Sequence, residues 1–263
     1  MSQQHIPPAQ TMVGKVALVT GSSAGIGAAA AIELSRRGAN LAIHYRSEKE
    51  KKAALATQAR LSPSTKSIIV ETDLSTLEGP AMLVNAVVTE FGHIDYLVNN
   101  AAAFAPAVTL VDINVKDLEI AFAVNSRAVL LVTQEALKHF SKKDCRIVNI
   151  TSTNAMDPVF GTTVYAGTKA MVDSFTRSWA KELPRDYGCT VNSVAPGPIA
   201  TENLLAAPAK FLDKAQKDAS ATPVAPRLGK PEELGWTIAT LCEPQASWLN
   251  GLRINCNGGL TLW

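Results

Sequence analysis

The sequence is poor in cysteine. Its four, Cys145, Cys189, Cys242 and Cys256, are far apart and form no Cys-x-x-Cys pair, which excludes a zinc ribbon and a dithiol redox motif. Three of them sit in or beside apolar segments, as free thiols buried in a reducing compartment do. Histidine is equally sparse: His5, His44, His93 and His139 are scattered and point to no metal centre and no triad. An excess of one charge is lacking too. The 25 basic and 23 acidic residues leave a net charge of +2, with no dense Lys/Arg cluster, which argues against a nucleic-acid or membrane-surface protein. The run Glu48-Lys49-Glu50-Lys51-Lys52 alternates in sign and reads as a solvated helix face. The opening MSQQHIPPAQTM has no apolar signal core, and no stretch reads as long and apolar enough to span a bilayer. A soluble, cytoplasmic protein is expected, with residues 1–12 as a flexible arm.

What is present is enough for one large core: 263 residues, 47% of them hydrophobic. Short apolar runs at 15–20, 40–45, 67–70, 95–100, 146–151, 189–194 and 252–256 read as strands, most of them apolar on both faces. Helical patterns lie between them at about 25–37, 48–60, 76–91, 115–140, 163–183 and 231–241. This β-α-β-α order predicts a single-domain, Rossmann-type α/β fold, a doubly wound parallel sheet of about seven strands with helices on both faces. Residues 198–230 break the rhythm. They carry Pro198, Pro208, Pro223 and Pro226 and a helical piece near 202–218, a long connection that reads as a substrate lid.

The stretch VTGSSAGIG follows the first strand and opens the first helix. Gly21 permits the turn, Gly25 lets the backbone approach a pyrophosphate, and Gly27 lets the helix pack close to the sheet while its N-terminus faces the anion. In this strand–turn–helix setting the glycines predict dinucleotide binding. A NAD site places an acid at the end of the second strand. Here that place holds Tyr45, Arg46 and Ser47, and an arginine beside a hydroxyl suits a 2′-phosphate. The expected cofactor is therefore NADP(H).

A second pattern is VYAGTKA. Tyr165 and Lys169 are one helical turn apart on one face. By itself such a pair is more often two surface neighbours. Ser152, thirteen residues upstream, and the nucleotide loop favour a catalytic reading. With the pieces TDLS, NNAA, FAVNS, NITS, YAGTK, NSVAPGPIAT, RLGKPEEL and NGG, in this order and spacing, the chain resembles the short-chain dehydrogenase/reductase family from Lys15 to Gly259. Its layout is most similar to the 3-oxoacyl and polyhydroxynaphthalene-type ketone reductases.

The resemblance implies a role for each matching position. Asn125, Ser152, Tyr165 and Lys169 would be the catalytic four, with Asn125 anchoring a water that relays protons through Lys169. Ser23 and Ile26 join the three glycines in the phosphate loop. Asp73 and the backbone of Leu74 would hold the adenine, and Asn100 and Ala101 would support the cofactor. Pro196, Gly197, Ile199 and Thr201 would flank the nicotinamide, whose ribose Lys169 would hold beside Tyr165. The chemistry agrees. Ketone reduction needs a hydride and a proton for the developing alkoxide. A free phenol has a pKa of about 10; Lys169 and an oxidised nicotinamide would lower it into a useful range. Ser152 would hydrogen-bond the substrate oxygen.

Two positions depart from the family pattern: Ala102 stands in place of a glycine and is expected to narrow the site, and Asn257 replaces an aspartate with a local effect. The small-molecule substrate is expected to be a medium-sized ketone, cyclic or aromatic, lined by Ala103, Phe104, Asn154, Met156, Phe160, Asn203, Leu204 and Leu205. An alcohol or sugar dehydrogenase, or a non-redox cyclase or dehydratase on the same scaffold, are the competing readings. Apolar residues on more than one face of 115–140 and 163–183 predict a homotetramer, or failing that a dimer.

Overall fold

The computed structural model describes residues 9–262. Seven strands alternate with helices: β1 Val16–Val19, α1 Gly25–Arg36, β2 Asn40–Tyr45, α2 Glu48–Gln58, β3 Ser67–Glu71, α3 Gly79–Phe91, β4 Tyr96–Asn99, α4 Val115–Phe122, a π turn Ala123–Arg127, α5 Ala128–Leu137, β5 Cys145–Ile150, α6 Thr163–Glu182, α7 Pro184–Tyr187, β6 Cys189–Pro196, α8 Glu202–Leu205, α9 Ala209–Ala219, α10 Pro231–Cys242 and β7 Arg253–Cys256. Each of the seven strand expectations overlaps an observed strand. All pairings are parallel, in the order β3-β2-β1-β4-β5-β6-β7. The order reverses between β1 and β4, and the carboxyl ends of strands at such a switch point are where doubly wound sheets bind ligands.

Alternation along each strand feeds two cores. Val16 and Leu18 of β1, Leu97 of β4 and Ile147 of β5 face one side, against Leu83, Val87 and Val132 from α3 and α5. Ala17, Val19, Val98 and Val148 face the other, against Ala30, Leu34, Leu234 and Ile238 from α1 and α10. That second layer is thin because α1 is alanine-rich. At Gly235 a Cβ would lie 2.6 Å from the Ala29 carbonyl oxygen, so α10 runs directly against the backbone of α1.

Two expectations need correction. The proposed arm spans residues 1–12. Residues 1–8 lie outside the described residues, but Met12 is fully buried among Ala17, Leu34 and Leu41, and its N–H donates to the Arg37 carbonyl at 2.8 Å. Met12 thus belongs to the core. The expectation of no span-length segment also fails. Val115–Leu137 forms one helical run of 23 residues that is long and apolar enough by length and composition, yet 50% of its apolar 18-residue window is buried inside the fold. Its apolar character serves packing against α3 and α6.

Candidate active site

The phosphate loop is shaped by neighbours from the other side of the switch point. Gly21 turns with φ 62°, and a Cβ there would stand 2.9 Å from Ala101 Cα. The Asn100 amide donates to the carbonyls of Thr20 at 2.8 Å and Gly21 at 3.0 Å. Thr20 Oγ1 accepts the N–H groups of Asn100 and Ala101 at 2.9 and 3.0 Å. A Cβ on Gly27 would sit 2.4 Å from Asn100 Nδ2 and 2.5 Å from the Gly21 carbonyl oxygen. The loop, the start of α1 and the tip of β4 are therefore one close-packed unit. The residue ahead of α1 is Ala24, which provides no side-chain cap. The helix start thus keeps the N–H groups that bind anions, and it fits a pyrophosphate. One of them, on Gly25, donates to Glu202 Oε2 at 2.9 Å, which brings α8 down onto the loop.

His44 is a member of this unit that sequence reading passed over. It is buried; its Nδ1 accepts the Gly21 N–H at 2.9 Å, and its Nε2 lies 2.9 Å from the Thr72 carbonyl. An accepting Nδ1 and a carbonyl partner at Nε2 define the neutral tautomer with hydrogen on Nε2. Burial lowers its pKa against the opposing pull of the Thr72 hydrogen bond. The only signal in the sequence was a lone histidine in an apolar strand, which has no distinctive spacing.

At the tip of β2, Tyr45 is buried, while the Arg46 side chain is 65% exposed and 3.4 Å from Glu50. Ser47 precedes α2. Asp73 accepts the Ser75 N–H at 2.8 Å. Burial would raise its pKa, but hydrogen bonds from Ser75, with Arg46 and His44 nearby, hold it below the ordinary carboxylate value. Leu74 beside it is buried.

Ser152 lies two residues beyond β5, ahead of a short 3-10 turn, and its Oγ accepts the Asn154 N–H at 3.1 Å. Lys169 is buried in α6, donates to the Ile150 carbonyl at 2.9 Å and stands 5.9 Å from the centre of the Tyr165 ring. Burial lowers the Lys169 pKa to about 8, opposed by Asp173. Tyr165 behaves differently from the sequence expectation. Burial pushes its phenol up to about 12, and the group that opposes this is Ser152, through a hydrogen bond. The ring keeps partial exposure although its hydroxyl end is densely surrounded. Lys169 is directed at the Ile150 carbonyl, so in the free protein its charge does not offset the burial of the phenol.

Asn125 is fully buried in the π turn. Its Oδ1 accepts the Ala103 N–H at 2.7 Å, and its Nδ2 donates to the Ala103 carbonyl at 2.9 Å and to Thr168 Oγ1 at 3.1 Å. Both amide hydrogens are committed, so the side chain clamps the segment after β4 to α6. That clamp sets Phe104, whose ring stacks on Tyr165 with centroids 5.1 Å apart and planes at 17°. Phe104, Met156 and Phe160 are exposed around this point, and the Val108 N–H donates to the Gly161 carbonyl at 3.1 Å, joining their two loops. Ala102 is exposed, and its φ is not in the left-handed region that would call for a glycine. Asn257 is buried and donates to Thr261 Oγ1 at 2.8 Å, a local role.

Beyond Pro196 and Gly197 the chain leaves the sheet. Ile199 is buried and pairs with Gly229, which closes the base of the 198–230 segment. Thr201 Oγ1 accepts the Leu204 N–H at 3.3 Å. Pro208 splits the expected single helix into α8 and α9, so Leu204 and Leu205 lie on a different helix from Phe211 and Leu212. A cavity of about 640 Å³ opens beside β7 and α10, lined by Ile199, Val224, Trp236 and Cys256. None of Asn125, Ser152, Tyr165 and Lys169 lines it.

A glycine-turned helix start, a topological switch and a Ser–Tyr–Lys cluster beside it define a nucleotide-binding α/β enzyme of the doubly wound class. A family model described as "Enoyl-(Acyl carrier protein) reductase" matches residues 21–261. The short-chain dehydrogenase/reductase FrzI of Cladobotryum sp is 39% identical over 259 residues, covering 96% of this chain and 98% of that protein. The hydroxynaphthalene reductase arp2 of Aspergillus fumigatus is 33% identical, covering 90% and 89%. The structure of the angucycline C-6 ketoreductase LanV with bound NADP superposes with a TM-score of 0.87 at 25% identity, covering 97% of this chain and 99% of that one. The chain belongs to the short-chain dehydrogenase/reductase family.

Proposed function

We propose that this protein is an NADPH-dependent ketone reductase whose substrate is a medium-sized cyclic or aromatic ketone. The observation that carries the reading is the cluster of Ser152, Tyr165 and Lys169 at the carboxyl edge of the sheet, next to the phosphate loop. As an oxidoreductase of CH-OH and C=O groups it takes NADP(H), consistent with its similarity to the NADP-bound ketoreductase. The phosphate loop would hold the pyrophosphate, Arg46 and Ser47 the 2′-phosphate, Asp73 and Leu74 the adenine, and Ile199 and Thr201 the nicotinamide side. The cofactor supplies the hydride. Ser152 donates a hydrogen bond to the substrate carbonyl oxygen, and Tyr165 transfers its proton to the oxygen as negative charge develops there. A phenol with its pKa near 12 is protonated at neutral pH, the state in which an acid must begin. Lys169 keeps positive charge beside it and recharges it from solvent. Both Asn125 amide hydrogens are engaged and its Oδ1 already accepts the Ala103 N–H, so we assign the anchoring of a relay water to a main-chain carbonyl of the π turn, where the regular hydrogen-bond ladder is interrupted.

The aromatic preference rests on Phe104. A planar ring stacked on the proton donor favours a flat substrate sliding along it. The test follows nicotinamide absorbance with NADPH across linear 3-oxo thioesters and cyclic aromatic ketones. Turnover of the cyclic set is expected, and Phe104→Ala should raise KM for it. Oxidation of NADPH by neither set would defeat the proposal.

Replacing Arg46 by alanine is expected to weaken NADPH at least tenfold and leave NADH nearly unchanged, because a charge-assisted contact is worth roughly 1.5–3 kcal/mol. Fluorescence titration with both cofactors reads this directly, and equal losses would refute the 2′-phosphate assignment.

We also propose that residues 198–230 act as a lid over an enzyme assembled as a homotetramer. Leu205 and Phe211 are about half exposed, at 53% and 49%, leaving apolar surface for a substrate to cover. Hydrogen exchange through α8 and α9 should slow when NADPH and a substrate analogue bind; full protection in the free enzyme would contradict closure. For the assembly, Leu118, Phe122, Leu130 and Met171 on α4, α5 and α6 remain exposed, and β7 is an open edge beside the exposed Trp236. Light scattering at micromolar concentration should give four times the chain mass. A monomer there would end this reading.

A further inference from the structure

Below Lys169 the same face of α6 continues to Asp173, so Tyr165, Lys169 and Asp173 stand at successive turns. Asp173 is almost fully buried, and each of its oxygens is used. Oδ1 accepts the Ser193 hydroxyl of β6 at 3.0 Å, and Oδ2 accepts Arg253 Nε of β7 at 3.0 Å. The same guanidinium reaches further. Its Nη2 donates to the main-chain carbonyl of Ser152 at 3.0 Å, and Nη1 meets Asn255 Oδ1. One side chain from the last strand thus ties the helix carrying Tyr165 and Lys169 to the residue carrying the Ser152 hydroxyl.

A buried ion pair is a poor stabiliser, because desolvation cancels most of its attraction. Its placement here, in contact with one catalytic residue's backbone and one turn from another, fits positioning better than stability. We propose that Arg253 and Asp173 are positioning residues for the reduction: Arg253 holds Ser152 in register with Tyr165, and Asp173 anchors Arg253 and supplies the counter-charge for Lys169. This rests on the ketone-reductase reading for its kinetic consequences, though not for its electrostatic ones.

The groups packed around Lys169 make the charge balance simple. Among the described residues, Lys169 meets the Ile150 carbonyl of β5 and the Tyr165 ring of its own helix, and Asp173 one turn further on is bonded to Ser193 of β6. Arg253 of β7 lies behind Asp173. Asp173 is the group that opposes the effect of burial on Lys169. Neutralising Asp173 therefore makes Lys169 release its proton at lower pH. Removing Arg253 leaves the Asp173 charge less compensated, so Lys169 should hold its proton to higher pH. Shifts of opposite sign would show that both charges act on Lys169; the kinetic readouts separate positioning from a merely structural pair.

The test uses Asp173→Asn, Arg253→Met and Arg253→Lys in the full chain. Lys169 titration is followed without substrate by NMR of ¹⁵Nζ-labelled lysine, its signal assigned by loss in Lys169→Arg. Midpoints moving down in Asp173→Asn and up in Arg253→Met are expected. In steady-state assays, Arg253→Met should lower kcat about 10- to 100-fold, the scale of a displaced catalytic group, with NADPH affinity retained. Arg253→Lys should recover only part, since a point charge cannot serve Asp173 and Ser152 together. If Asp173→Asn does not fold, the two Arg253 variants decide. Unchanged Lys169 midpoints, or an Arg253→Met enzyme with wild-type kcat, would overturn the proposal. A wild-type protein that reduces no ketone would instead count against the functional reading, and the NMR shifts would still decide the charge relation.

Discussion

Replacing Tyr165 by phenylalanine should lower kcat by about 10²–10⁴-fold, the range of one positioned acid–base group, while NADPH still binds with near wild-type affinity. The ring is retained, so its stacking with Phe104, at 5.1 Å between centroids, is kept and the substrate wall should stand. What is lost is the hydroxyl with its proton, the group whose pKa burial raises to about 12 and Ser152 opposes. Loss confined to kcat, with KM little changed, is the signature of an interaction made in the transition state. Stopped-flow turnover together with fluorescence titration of NADPH separates the two quantities. Residual activity within a few-fold of wild type would mean that another group protonates the product, and the assignment of Tyr165 would have to be abandoned.

Gly27→Ala is expected to cost stability and cofactor affinity together. The new methyl would meet Asn100 Nδ2 at 2.4 Å and the Gly21 carbonyl oxygen at 2.5 Å, well inside contact distance, and neither neighbour can yield freely. Asn100 is bonded to Thr20 and Gly21, and Gly21 is held by His44. Either α1 moves off the sheet or the Asn100 amide lets go of the loop. Overpacking of this kind costs about 1–3 kcal/mol, which lowers Tm by roughly 2–4 °C per kcal/mol in a domain of this size. Because the displaced atoms form the phosphate loop, NADPH should weaken by about tenfold or more, a loss of about 1.4 kcal/mol. Thermal melts with and without NADPH check both. A variant that melts and binds like the wild type would show that the loop tolerates a side chain, and the close-packed description would fail.

Local signals carried much of this protein in its sequence. The seven strands were legible because each is a short apolar run bounded by turn residues, a pattern that needs no knowledge of neighbours. Gly21, Gly25 and Gly27 were legible by their spacing after β1, and Tyr165 and Lys169 by their four-residue separation, which a helix converts into one face. What the sequence left open lies in contacts between distant segments. His44 reads as an ordinary strand residue until the fold lays it beside Gly21. Arg253 is 80 positions from Asp173 and 101 from Ser152. Glu202 reaches Gly25 across 177 positions. Periodicity and propensity act over one or two turns and carry no information about such partners; they are created when parallel crossovers stack β1, β4, β5, β6 and β7 side by side. The pKa of Tyr165 follows the same rule. Its neighbour Lys169 was visible at four residues, but the burial that raises the phenol and the Ile150 carbonyl that draws the ammonium away are properties of the assembled sheet. By itself, then, the sequence determined the strands, the phosphate loop and the candidate reacting groups. The tertiary structure alone decided their electrostatic setting and which residues hold them in place.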